Sequence, residues 1–145
     1  MTYFKDVTAF HEKFGIDYKG KPRELPDELL DFRHKRMIEE VTEIEEAMQK
    51  LDRGMTFMNK QRITEGLEQK LDGLVDLVYI ALGTAHLHGF DFDAAWQRVH
   101  AANMAKASAR DFMHLSRYKN PNDVIKPPGW IAPDLRDLVE DHAHK

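Results

Sequence analysis

Five carboxylates are spaced in this sequence so that they can act together. Glu39, Glu40 and Glu43 stand in the run Glu39-Glu40-Val-Thr-Glu43, and Asp72 and Asp76 lie four residues apart further along the chain. At about 3.6 residues per helical turn, Asp72 and Asp76 project from one face. On the other segment Glu40 falls at the edge of an apolar stripe, with Glu43 and Glu39 progressively beside it. If the two helices pack as antiparallel neighbours, up to five acids come within reach of a common groove. Hard oxygen donors with no histidine or cysteine among them suit magnesium or manganese rather than zinc. Magnesium in turn usually serves phosphates. The plainer alternative is a solvated acidic helix face, against which the position of Glu40 on the core side argues.

The elements that must hold these acids follow from apolar spacing. Between Leu67 and His88, Leu67, Leu71, Leu74, Val78, Ala81 and Ala85 form one stripe, and Leu77 and Ile80 extend apolar character around most of the cylinder. Such a helix is expected to be buried on nearly every side. Asp76 is the only charge from Gly73 to Ala85, so it needs a cation, a wet cleft or a base such as Arg33 or Lys70. Two or three neighbours in so short a chain cannot cover that much apolar surface, which points to a homodimer or homotetramer.

A second long helix should start at Pro26-Asp-Glu, with acids in its first turn, and run to about Arg53 before Gly54. Its stripe is Leu30, Met37, Val41, Ile44, Met48 and Leu51. Ahead of it, Phe4, Val7, Phe10, His11 and Phe14 mark a short amphipathic helix stopped at Gly15, followed by a proline-containing loop to Pro26. Thr64 and Glu65 are candidates to open the central helix, and His88-Gly89 to end it. Asp91 or Asp93 then caps a further helix with Phe92, Ala95, Trp96, Val99, Ala102 and Met104 as candidate buried positions. From Arg110 to Trp130 the sequence reads as ordered loop, and Pro133 to Glu140 as a terminal helical segment. The expected fold is all-α, an antiparallel helical bundle completed by oligomerisation, with residues 1–145 forming a single domain.

Composition removes other classes. There is no cysteine, which excludes disulfides and thiol catalysis and makes a cytoplasmic protein the simplest expectation. The net charge of −4, with both signs interspersed, leaves no sustained basic face for nucleic acid. The amino terminus lacks a signal pattern, and no segment has the roughly 20 apolar residues of a membrane span. A di-iron or di-manganese bundle would need Glu-x-x-His pairs, and none occurs beside these acids. A competitor from another class is a non-catalytic helical oligomerisation or interaction module with a solvated acidic face. The tail histidines His142 and His144 are expected to be exposed and idle.

The two acidic motifs, in this order, resemble those of the all-α nucleoside triphosphate pyrophosphohydrolases, which include MazG-like enzymes and phosphoribosyl-ATP pyrophosphohydrolase. The similarity covers roughly Asp27 to Lys106. Members carry Glu-Glu-x-x-Glu, matched here by Glu39, Glu40 and Glu43, and a later acidic pair, similar to Asp72 and Asp76. One departure is plain: the usual second motif is Glu-x-x-Asp, and Gly73 stands three residues before Asp76. The resemblance implies hydrolysis of a nucleoside triphosphate to the monophosphate and pyrophosphate, with Glu39, Glu40, Glu43, Asp72 and Asp76 holding magnesium, or manganese in its place. It makes Glu40 or Glu39 the base that takes a proton from water. Asn103-Met-Ala-Lys106 is similar to an element that contacts phosphates, and Tyr79 and Trp130 are candidates to stack on a base. Lys126-Pro-Pro-Gly-Trp130 looks like the tail of some phage and bacterial members.

Overall fold

The structure, a computed structural model, describes residues 2–140; His142 and His144 lie outside them. Its elements are α1 (Tyr3–Lys13), α2 (Asp27–Thr56), α3 (Lys60–Leu87), α4 (Phe92–Met104), β1 (Ala107–Ser108) and β2 (Val124–Ile125). The fold is a mostly helical bundle, as the apolar periodicity predicts, with one very small sheet that it does not. The chain divides into two compact units, Met1–Phe90 and Asp91–Lys145, described in turn.

The first unit is built on the antiparallel pair α2 and α3. No break occurs at Gly54, and α2 runs on to Thr56, while Asn59 rather than Thr64 opens α3 by accepting a hydrogen bond from the Arg62 amide at 3.0 Å. The two helices meet along a seam of small residues: Ala47, Gly54, Gly66 and Gly73 are all buried. A Cβ on Gly73 would stand 2.9 Å from Ile44 Cγ1, so the close approach requires glycine there. Within the chain this seam covers only part of α3. Leu71 is 64% exposed and Val78 52%, and Leu67, Leu74 and Val75 are exposed with them. On α2, Leu30, Val41 and Met48 of the expected stripe are exposed as well. Large apolar side chains keep helix axes apart, whereas the glycine face lets them close, so the small residues take the contact within the chain.

Helix α1 packs on α3 through Val7 and His11, both buried. The loop after it is fastened to the end of α3: the Arg23 amide donates to the His88 carbonyl at 2.9 Å, and the Arg23 guanidinium lies 3.6 Å from the Tyr18 ring centroid. Gly89 ends α3 at φ +76°, under the carbonyls of Gly20 and Lys21, where no side chain fits.

In the second unit Asp91 caps α4, its carboxylate accepting from the Ala94 amide at 3.0 Å. None of the expected apolar positions of α4 is buried, and Trp96 and Met104 are exposed. The loop expected from Arg110 to Trp130 closes as a hairpin, Ala107 opposite Ile125, over buried Ala109, Ser116 and Ile125. The terminal helix expected from Pro133 to Glu140 is reduced to a 3₁₀ turn at Arg136–Leu138. The Asp134 carbonyl that a helix would use instead accepts from Arg98 at 2.9 Å, and Arg98 also grips the Asp137 carboxylate.

Candidate functional site

Midway along the α2–α3 pair, the glycine seam brings the two acidic motifs to adjoining turns. A Cβ on Gly73 would lie 3.6 Å from the Glu40 carbonyl, so the turn that carries Asp72 and Asp76 crosses the turn that carries Glu39, Glu40 and Glu43. Glu40 is 2% exposed. Glu43 is half-buried, and Glu39, Asp72 and Asp76 are exposed. The sequence led to Asp76 as the buried acid in need of a partner. Glu40 is that acid instead, and Asp76 keeps its hydration at the rim. Arg33 is not its partner either: the guanidinium donates to Thr84 Oγ1 at 3.0 Å and to the Ile80 carbonyl at 2.8 Å.

Burial pushes the Glu40 carboxyl above its ordinary value, and the negative charges of Glu43, Asp76 and Glu39 push it the same way. Arg36 opposes them. Its Nη2 donates to Glu40 Oε1 at 3.0 Å, and its Nη1 pairs with Glu39 Oε2. Arg36 was missed in the sequence, although its spacing of three and four residues to Glu39 and Glu40 is the signal of such pairs. Thus four of the five expected metal ligands act on one another electrostatically. Asp72 stands outside that set, along a shallow groove with Lys50, Glu65 and Glu68.

Among the described residues no three acidic or histidine side chains already form a group able to hold a metal ion. The donors nevertheless suit a hard divalent cation, which would offset the mutual repulsion that raises Glu40. A profile described as phosphoribosyl-ATP pyrophosphohydrolase matches residues 7–103.

The chain belongs to that family. The phosphoribosyl-ATP pyrophosphohydrolase family falls within the MazG-like all-α pyrophosphohydrolases, so this chain is a hydrolase of phosphoanhydride bonds in a nucleotide-like substrate. MazG-like enzymes are generally dependent on a divalent metal. No curated protein sequence matches the chain. The family match spans both acidic motifs and ends on Asn103.

The other expected contact residues are placed as follows. Tyr79 is half-buried, edge-on to Phe10 at 5.5 Å between ring centroids. Asn103, Lys106 and Trp130 belong to the second unit. There the Asn103 carbonyl accepts from the Lys106 amide at 3.1 Å, and Trp130 Nε1 donates to the Ala102 carbonyl at 2.7 Å. Asn103 is exposed, and Lys106 lies beside the Trp130 ring, its Nζ 5.8 Å from the centroid.

Above the acids on the same helix pair lies a second polar cluster that sequence spacing did not reveal. His11 and His86 are both buried with ring centroids 5.1 Å apart, and a Cβ on Gly83 would meet both Arg33 Nη2 and His11 Nε2. His11 Nδ1 has no hydrogen-bond partner among the described residues, whereas His86 Nε2 accepts from the Tyr18 amide at 3.3 Å. Burial, then the positive charges of His86 and Arg33, hold His11 down to about 4 against the opposing pull of Asp17. No helix of the described residues is long and apolar enough to cross a membrane.

Proposed function

We propose that the chain hydrolyses a nucleoside triphosphate to the monophosphate and pyrophosphate with magnesium as its metal. Phosphoribosyl-ATP, the substrate in the family's description, and the ordinary nucleoside triphosphates share the α–β anhydride that would be cut. The observation that carries the proposal is Glu40, an acid held out of water among like charges from two helices. Arg36 offsets part of the cost of such a carboxylate, and a metal cation would offset more.

Glu39, Glu40, Glu43, Asp72 and Asp76 would hold the metal. When bound, magnesium supplies neutralisation of the phosphate oxygens and makes the attacking water more acidic. Glu40 takes the water's proton, its raised proton affinity suiting it to that role better than exposed Glu39. Asn103 and Lys106 contact the phosphates, an amide and a charge respectively. Tyr79 and Trp130 are the aromatic side chains offered to the base.

The deciding experiment is product analysis with nucleoside triphosphates, canonical and modified, and with phosphoribosyl-ATP, in magnesium and in chelator. Monophosphate and pyrophosphate in magnesium alone are expected. Release of orthophosphate and diphosphate would reject the reading. The exposed face of Leu67, Leu71, Leu74 and Val78 further supports a homo-oligomer, dimer or tetramer, covering that face with a second copy. Light scattering at micromolar concentration should find it, and Val78→Glu should dissociate it.

A further inference from the structure

The second unit brings together two ammonium groups that the metal chemistry does not use. Lys106 follows the end of α4, and Lys126 follows β2, far from it in sequence. Both side chains nonetheless converge on one indole: Lys126 Nζ lies 4.8 Å from the Trp130 ring centroid and Lys106 Nζ 5.8 Å from it. The ring itself is fixed, because its Nε1 donates to the Ala102 carbonyl at 2.7 Å. Its position also rests on Pro127, Pro128 and Gly129, whose turn closes with the Trp130 amide donating to the Pro127 carbonyl at 3.0 Å.

Neither lysine makes an ion pair with a carboxylate among the described residues. Two cations gathered without an anion repel each other, and attraction to an indole offsets only part of that repulsion. A multiply charged anion at the edge of the ring would offset the repulsion that the indole leaves. A lone surface lysine would bind phosphate weakly, but two gathered at one rigid ring are brought near each other before the ligand arrives.

We propose that Lys126 and Lys106 form a two-pronged phosphate clamp, with Trp130 as the ring that positions them, and that its ligand is the phosphate chain of the nucleotide or the pyrophosphate released from it. This rests on the proposed hydrolysis for the identity of the ligand, and adds Lys126 as a substrate-contacting residue. It also replaces base stacking by Trp130 with a positioning task at the phosphate end, and leaves Tyr79 as the aromatic side chain offered to the base.

The test uses the full chain carrying Trp96→Phe, a substitution at an exposed position that leaves Trp130 as the only tryptophan. Pyrophosphate is titrated at constant ionic strength, once in chelator and once with magnesium, while Trp130 fluorescence is followed. A saturable change is expected in at least one condition. Lys126→Ala should weaken it roughly tenfold or more, as loss of a charge-assisted contact does, and Lys126→Arg should restore most of it. In steady-state assays Lys126→Ala should raise KM for the nucleotide more than it lowers kcat. No response in either condition, or equal binding by Lys126→Ala, would overturn the clamp. The two proposals fail separately. Hydrolysis with unchanged KM in Lys126→Ala removes the clamp and leaves the enzyme reading, whereas lysine-dependent pyrophosphate binding without triphosphate hydrolysis does the reverse.

Discussion

Two polar clusters lie on the same α2–α3 helix pair, about two turns apart on α2, and they solve the problem of burying charge in opposite ways. Around Arg33 the charge is answered by neutral groups, the Ile80 carbonyl and the Thr84 hydroxyl, beside two histidines that burial holds below their ordinary range, His11 further by the charges of His86 and Arg33. Around Glu40 charge is set against like charge, with Arg36 alone opposing it. The first cluster answers its arginine within the fold, although His11 Nδ1 has no partner among the described residues. The second keeps its like charges together with one arginine to offset them, and it is the place where the proposed cation would act.

The comparison is broken most severely at Glu40. Glu40→Gln should lower turnover roughly 100-fold or more, the scale of a lost general base, while melting temperature in chelator stays the same or rises because a source of repulsion is gone. Pyrophosphate release and thermal melting measure the two effects. A large loss of stability in chelator would mean that Glu40 belongs with Arg33 as a structural group.

Arg33→Met should behave in the opposite manner. It leaves the Ile80 carbonyl without its arginine donor and opens space beside Gly83, at about 3 kcal/mol of stability, with turnover per folded molecule nearly unchanged. Urea unfolding with activity measured on the same samples would check it. Next in size is the pH response of the histidines. His11 titrates near 6.5 when unfolded and at about 4 when folded, so its stabilising contribution is complete above pH 6.5 and fades as pH falls to 4. The unfolded chain takes up the proton that the folded one refuses, at a cost on the order of 2 to 3 kcal/mol. His86, also lowered by burial, adds to the slope in the same direction. Melting from pH 7 to pH 4 should therefore steepen in the native chain and flatten in His11→Gln.

The smallest effect is expected at Arg36. Removing it frees Glu39 and Glu40 from their competing cation, so Arg36→Ala should bind magnesium a few-fold more tightly by calorimetry and melt slightly earlier in chelator. An unchanged magnesium affinity would show that the guanidinium and the metal do not compete.

Much of the frame was legible. The acids of the first turn located the start of α2, the cap of α4 was narrowed to Asp91 or Asp93, and the two acidic motifs in order carried the family. What spacing did not convey was which face of a many-sided apolar helix turns inward. Leu67, Leu71, Leu74 and Val78 share the helical period with the glycines opposite, and periodicity scores leucine while giving glycine almost no weight. The period therefore does not single out the glycine face as the one that α2 covers, and Asp76, the only charge from Gly73 to Ala85, reads as the acid most in need of a partner, although it is exposed within the chain. His11 and His86 are 75 positions apart, and no local pattern reports such a meeting. Lys106 and Lys126 were separately visible, but only the hairpin between them shows that they share a ring.

The glycine at position 73 also limits how this sequence can change. The relatives it resembles place a glutamate three residues before the aspartate of the second motif, and here that place is pressed against Ile44, which leaves no room for a Cβ. A return to the common spacing by Gly73→Glu alone would force the helices apart before the new acid could bind anything. Ile44 would first have to become smaller, a change that loosens the seam and brings no benefit by itself. Positions 44 and 73 would therefore have to change together before an acid at position 73 could fit between the two helices.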